Sequence, residues 1–199
     1  MNEVKENKMS LLVLSFFLGG TIGGAWETLW TLIKDGHLLW KSGIMFFPLC
    51  NPIYGFGALI ITIYALKEKS TLKLYLFSFL SCSFIEFFFS LLEELVFHSI
   101  SWDYSAHFMN IGGRVNLLYS LFWGFLALAW CVFILPHLRS FTIEEKEKSS
   151  ALISTLLPLY LLLMSISLIA MAMYSLNAYP SIVSDSLMSF FYPTRQVVL

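Results

Sequence analysis

The sequence predicts an all-α fold: a polytopic bundle of transmembrane helices that forms a single integral membrane domain over residues 1–199. Hydrophobic residues make up 58% of the chain. Charged residues make up only 13%, compared with about 25% in a typical soluble domain. Several apolar stretches also reach the length of about 20 residues that a helix needs to cross the hydrocarbon core.

Five stretches of the chain are candidate membrane spans. The first continues as GGTIGGAWETLW and lacks a small-x-small cleavage motif, so we expect an uncleaved anchor rather than a signal peptide. The five candidates lie near Met9–Ile33, within Gly43–Leu66, near Leu72–Phe97, near Val115–Leu135 and near Ala151–Leu176.

The distribution of lysine and arginine predicts the orientation of these spans. Of the 12 basic residues, eight fall on the side of the N-terminus and four on the opposite side. Cytoplasmic loops carry the excess of Lys and Arg. We therefore expect the N-terminus inside and the C-terminus outside, so that the region 151–199 holds the fifth span and an outward-facing tail.

The first span carries a carboxylate on a face suited to close helix packing. Gly19, Gly20, Gly23 and Gly24 form two overlapping G-x-x-x-G pairs, which let another helix approach closely. Glu27 follows Gly23 by four residues and therefore shares that face. Two interpretations stay open: Glu27 is buried with a partner inside the bundle, or it lies near the outer headgroups because the span ends soon after it.

The second candidate span starts with NPIYGFG and is short. Pro52–Leu66 forms about 22 Å of helix, whereas the hydrocarbon core is about 30 Å thick. The missing depth must come from GIMFFPLCN, which contains Pro48. The segment is therefore either a broken helix start that lines a cavity, with Tyr54 as a candidate binding residue, or a helix that begins at Pro52 after an interfacial lead-in.

The third span has three glutamates. Glu86 is central, and Glu93 lies two turns further on the same face with Ser90 between them. A carboxylate at the bilayer centre costs at least about 2.5 kcal/mol on insertion scales, so Glu86 is expected to carry a proton or to meet a donor. Arg114, at the outer start of the fourth span, is the expected cation for Glu93 or Glu94. This ion pair either only locks the two spans together or belongs to a binding site.

The connector SWDYSAHFMNIGGR, residues Ser101–Arg114, holds more polar and aromatic groups than a simple turn requires. Trp102 and Tyr104 suit the outer interface, and Asp103 can accept a hydrogen bond from the loop backbone. The two glycines allow a tight turn that directs Arg114 towards the third span. The connector is either part of an outward-facing polar pocket or only a structural scaffold for the loop. The candidate substrate-binding residues are Glu27, Tyr54, Glu86, Glu93, Asp103, Asn110 and Arg114.

A set of short motifs occurs in the order found in a known family: Glu27, Lys41-Ser42-Gly43, Pro52–Gly57 (PIYGFG), Glu86 with Glu93, Trp102–Ser105 (WDYS) and Asn110–Arg114 (NIGGR). In this combination the chain resembles the ABC-transporter type IV family, also called CmpB-like, of small bacterial membrane proteins. The resemblance covers about residues 20–130. Two departures are Lys41, where the family tends to have Arg, and the phenylalanines after Glu86, where the family favours a Gly-containing turn.

The resemblance implies a permease-like protein that crosses the bacterial cytoplasmic membrane several times. The motif G-x-x-x-x-G-K-[ST] is absent from the sequence, so ATP hydrolysis would have to come from another chain. The expected partners are membrane lipids and either a separate ATPase subunit or a second copy of this chain. The alternatives are a cell-envelope enzyme or accessory factor that acts on a lipid-linked substrate, with His98 or His107 beside the carboxylates, and a membrane scaffold subunit.

Charge and cysteine content narrow the functional classes. The net charge of −1 indicates no nucleic-acid partner. Cys50, Cys82 and Cys131 are spread singly, which favours apolar packing over a disulfide or a metal site. Neither a Ser-His-Asp spacing nor an H-E-x-x-H motif occurs, so the sequence favours a protein that is not an enzyme and predicts no cofactor.

Overall fold

The computed structural model describes residues 7–36, 50–97, 99–175 and 196–197. The described residues are mainly helical, which confirms the all-α expectation. The helices are α1 (Lys8–Asp35), α2 (Pro52–Ala65), α3 (Thr71–Phe97), α4 (Leu117–Glu144) and α5 (Lys146–Ser175). The short strands are β1 (Ser99–Ile100), β2 (Asn110–Ile111), β3 (Val115–Asn116) and β4 (Gln196–Val197).

Four of these helices, α1, α3, α4 and α5, are long and apolar enough to cross a membrane. The second expected span corresponds to α2, which has 14 residues and a length of only about 21 Å. It begins at Pro52, with the Asn51 side chain accepting a hydrogen bond from the Ile53 amide at 3.0 Å. The first six residues of α2 are all helical. The described residues therefore agree with a helix that begins at Pro52 rather than with a broken helix start. The lead-in 43–49 lies outside the described residues.

Gly19, Gly20 and Gly23 of α1 face α2 and the residues just before it, which confirms the predicted close-packing face. A Cβ atom at Gly19 would overlap the side chain of Ala58, and one at Gly23 would overlap the Tyr54 ring. The Asn51 amide donates to the Gly20 carbonyl at 3.0 Å. Because Gly20 lies near the middle of α1, α2 starts about halfway along its neighbour.

The fourth helix is interrupted by a π-helical turn at Trp130–Ile134. The turn precedes Pro136, which cannot donate the usual backbone hydrogen bond, and single π turns accommodate such a break. Before the turn the buried residues include Trp123 and Ala127, and after it they include Leu135 and Leu138. The turn therefore adjusts which residues face the interior.

Two contacts relate the ends of the chain to the ends of the helices. The Asn7 side chain donates to the Ser150 hydroxyl at 3.4 Å, so the start of α1 lies beside the start of α5. Strand β4 pairs with β1 in antiparallel fashion, next to the end of α3. Both contacts are compatible with opposite membrane sides for the two chain ends, and the side that faces the cytoplasm stays a prediction from the Lys/Arg distribution.

The orientation is tested by labelling single introduced cysteines. Ala106→Cys, in the loop between α3 and α4, should react with a membrane-impermeant maleimide in intact cells. Lys148→Cys, near the start of α5, should react only after permeabilisation; both sites are exposed. The unmodified chain controls for reaction of the native cysteines. Labelling of Lys148→Cys in intact cells would overturn the predicted orientation.

The glycine packing is tested by comparing Gly23→Ala with Ala25→Leu. The first change places a methyl group against the Tyr54 ring, and such overpacking typically costs about 1–3 kcal/mol. Ala25 is exposed on the other side of α1, so its replacement should change thermal stability in detergent very little. Equal melting temperatures for the two variants would contradict the packing argument.

Candidate functional site

Glu86 lies at the centre of the candidate site. It sits near the middle of α3 and is only 7% exposed. The Tyr104 hydroxyl donates to its Oε1 at 3.0 Å, and the Trp123 indole donates to its Oε2 at 3.1 Å. A residue of the connecting loop and a residue of α4 therefore meet on one carboxylate of α3.

Both donors to Glu86 are neutral groups. Burial, reinforced by the nearby Glu86 charge, raises the pKa of Tyr104 well above its ordinary value, so its hydroxyl keeps its proton and remains a donor. Within the described part of the chain, neither a lysine nor an arginine contacts Glu86. The hydrogen bonds satisfy the carboxylate oxygens, but they do not neutralise the charge.

A second carboxylate lies close to the first. The Asn51 amide donates to Glu27 Oε2 at 3.3 Å, and the Tyr54 ring packs against Gly23, one turn before Glu27 on α1. The Tyr54 ring lies 5.3 Å from the Trp123 ring, measured between centroids. Glu27 is partly buried beside the start of α2.

These residues form what we call the carboxylate cluster, which consists of Glu27, Asn51, Tyr54, Glu86, Tyr104 and Trp123. The sequence singled out three of them as binding candidates, Glu27, Tyr54 and Glu86. It placed Tyr104 only at the outer interface, whereas the ring reaches inward to Glu86. Asn51 carried a signal that could have been used, because asparagine before a proline is a common helix N-cap.

The loop between α3 and α4 is held by Asn110. Its Oδ1 accepts from the Gly113 amide at 3.0 Å, and its Nδ2 donates to the carbonyls of Ser105 and His107 at 3.1 and 2.9 Å. Strands β2 and β3 pair around the turn at Gly112 and Gly113, whose φ angles are 59° and 69°. Asn110 therefore acts on the loop backbone, a structural role that the sequence did not distinguish from binding.

Asp103 is exposed at the surface of the same loop. Its Oδ1 accepts from both the amide and the hydroxyl of Ser105. These bonds hold the pKa of Asp103 below its ordinary value, so the carboxylate is ionised at neutral pH. The neighbouring Trp102 indole donates to the Arg114 carbonyl at 2.9 Å, which joins the start of the loop to its end.

Arg114 connects the loop to α3. Its guanidinium forms an ion pair with Glu94 and donates to the Ser90 hydroxyl at 3.1 Å, and it lies 5.9 Å from the Phe87 ring centroid. Of the two predicted partners, the structure pairs Glu94 with Arg114. Glu93 is buried and accepts from the Ser101 hydroxyl at 2.7 Å.

A cavity of about 180 Å³, here called the loop cavity, opens beside Arg114. It is lined by Ser90, Glu94, Ile100, Trp102, Asp103, Ser105, Gly112, Gly113 and Arg114. Two of the predicted binding residues, Asp103 and Arg114, line it, whereas Glu27 and Glu86 belong to the carboxylate cluster. The structure thus divides the predicted residues between two neighbouring places, which are joined through the adjacent residues Asp103 and Tyr104.

Comparison with protein families places this architecture in a known class of membrane protein. The model of the family described as "Putative ABC-transporter type IV" matches residues 14–171, which include both the carboxylate cluster and the loop cavity. The chain belongs to this family, as the motifs in its sequence indicated. No match was found among curated proteins or among solved structures.

The ion pair between Arg114 and Glu94 is tested by a double-mutant cycle. Arg114→Gln and Glu94→Gln should each destabilise the protein by roughly 1.5–3 kcal/mol, the usual value for a charged hydrogen bond. The double variant should lose less than the sum, because neither charge is then left alone. Glu147→Gln, an exposed change at the start of α5, is the control. Additive losses of stability would show that the two groups are not coupled.

Proposed function

We propose that this protein is a permease-like membrane subunit whose carboxylate cluster binds a cation, a proton or a cationic group during transport. The family supports a transporter-type membrane protein, and four long apolar helices support its place in a membrane. The bacterial cytoplasmic membrane, which the family resemblance implies, is the proposed location.

The observation that carries this proposal is the environment of Glu86. A carboxylate at membrane depth costs about 2.5–3.5 kcal/mol on insertion scales. Tyr104 and Trp123 donate to its oxygens, and neither group can neutralise an ionised Glu86. A proton or a bound cation removes that cost, so the site favours a positively charged species that comes and goes.

Glu27 adds a second carboxylate to the site. Glu27 follows Gly20 by about two helical turns of α1, and Asn51 at the start of α2 bonds to its carboxylate. The Tyr54 ring packs against Gly23, one turn before Glu27, and lies beside the Trp123 ring, whose indole donates to Glu86. Two carboxylates arranged in this way offer successive positions for a cation or a proton. Successive sites of this kind are typical of intramembrane ion pathways.

The proposed protein partner follows from the absence of an ATP-binding motif in the sequence. The chain has no phosphate-binding loop motif, so energy from ATP would require a separate ATPase subunit. A second copy of this chain is the alternative partner, and membrane lipids surround either assembly. We propose no nucleic-acid partner.

A scaffold subunit is the second candidate function. Arg114, Glu94 and Ser90 tie the loop to α3, and Asn110 braces its backbone. The proposal of a lipid-directed enzyme receives less support, because His107 packs against the rings of Tyr104 and Tyr119. His98, the other candidate acid or base, lies outside the described residues.

The transport proposal is tested with the purified chain in proteoliposomes. Under a potassium diffusion potential, we expect the wild type to move protons, reported by an enclosed pH dye, or radioactive sodium or rubidium. Glu86→Gln, which removes the central charge, should reduce that flux at least about tenfold. Glu147→Gln should leave it unchanged, and thermal unfolding should verify that both variants are folded. A flux that survives Glu86→Gln would contradict the proposal. A wild type that moves none of the three probes would exclude transport of protons and of these two cations by the chain alone.

A further inference from the structure

Within the described residues, Arg114 keeps hydrogen-bond donors that can serve the loop cavity. The guanidinium has five N–H groups, and the structure engages Nη1 with Ser90 and Nη2 with Glu94. The remaining N–H groups belong to a side chain that lines the cavity and is 17% exposed. Guanidinium donors bind phosphate oxygens strongly and often in pairs.

The same cavity presents a carboxylate and an aromatic ring. Both hydrogen bonds that Asp103 accepts within the described residues end on Oδ1, so Oδ2 is open to a further donor. Trp102 lines the wall beside it. A carboxylate next to an indole ring is a favourable environment for an ammonium group. The ionised groups of the cavity wall, Glu94, Asp103 and Arg114, sum to one negative charge, which favours a ligand with a positive group.

The tip of the loop indicates where this cavity lies. Phe108, Met109 and Ile111 are 81%, 60% and 64% exposed. An apolar group of this kind is unfavourable in water, yet the loop joins α3 to α4 and must lie at the membrane surface. Seated among lipid headgroups, the three side chains reach the acyl boundary and bring the loop cavity to headgroup level.

We propose that the loop cavity binds a zwitterionic phosphoethanolamine headgroup, with the phosphate at Arg114 and the ammonium at Asp103. The lipid in the adjacent leaflet supplies this headgroup, since the apolar loop tip places the cavity there. The cavity has a volume of about 180 Å³, so we expect only the headgroup to enter it and the acyl chains to stay outside. This inference concerns the outer loop and does not depend on the transport proposal.

The binding test uses the full chain in detergent with three probes. They are dihexanoyl phosphatidylethanolamine, dihexanoyl phosphatidylglycerol and soluble O-phosphoethanolamine, and the affinity of each is measured by native mass spectrometry. We expect the phosphatidylethanolamine to bind most tightly. Asp103→Asn keeps an oxygen for Ser105 but removes the charge, so it should weaken that lipid about tenfold and leave the phosphatidylglycerol unchanged. Arg114→Lys should weaken both lipids, and Glu147→Gln should weaken neither.

Several outcomes would overturn the proposal. Equal affinities of the wild type for the two lipids would remove the role of the ammonium group, as would a phosphatidylethanolamine affinity that Asp103→Asn leaves unchanged. O-phosphoethanolamine that binds as tightly as the short-chain lipid would exclude the membrane as the source. An environment-sensitive dye on Phe108→Cys should report an apolar setting in nanodiscs, and the same dye on Ala106→Cys a more polar one. A polar setting for both would contradict the placement of the loop tip.

Discussion

The hydrogen bonds to Glu86 tie α3, α4 and the loop between them to one buried carboxylate. A carboxylate between membrane helices has to be satisfied locally, because hydrocarbon supplies no donors. Its two donors, Tyr104 and Trp123, come from the loop and from α4. The loop therefore has to fold inward, and α4 has to present its indole at one depth. A connector that looks peripheral in the sequence is thereby tied to the middle of the bundle.

The outer part of the structure holds Tyr104 in the position that Glu86 requires. The Tyr104 amide donates to the Gly113 carbonyl at 2.7 Å, and Asn110 fixes the turn that carries Gly113. Arg114 then anchors the end of that turn to α3 through Glu94. The outer ion pair and the buried carboxylate are therefore coupled through one short stretch of backbone, although neither touches the other.

The sequence predicted those features that follow from a local cost or a short repeat. Glu86 stood out because intramembrane charge is expensive, and the packing face of α1 stood out because its glycines recur at helical spacing. Trp123 could not be found as the partner of Glu86, because that contact depends on how α3 packs against α4. The choice of Glu94 over Glu93 for Arg114 depends on a rotation of about 100° around α3, which spacing alone does not resolve. The second span was ambiguous because its length fits neither a full span nor a loop.

The π turn in α4 affects how the sequence of this helix should be compared with others. Buried positions recur three or four residues apart up to Ala127 and Trp130, and the next one, Leu135, comes five residues later. The π turn therefore adds one residue between the last buried residues before it and the first buried residue after it. Counted at a uniform 100° per residue, Leu135, Leu138 and Thr142 still fall within about 60° of Ser120. A constant helical period through this turn therefore keeps them on the interior side but misplaces the centre of the buried face.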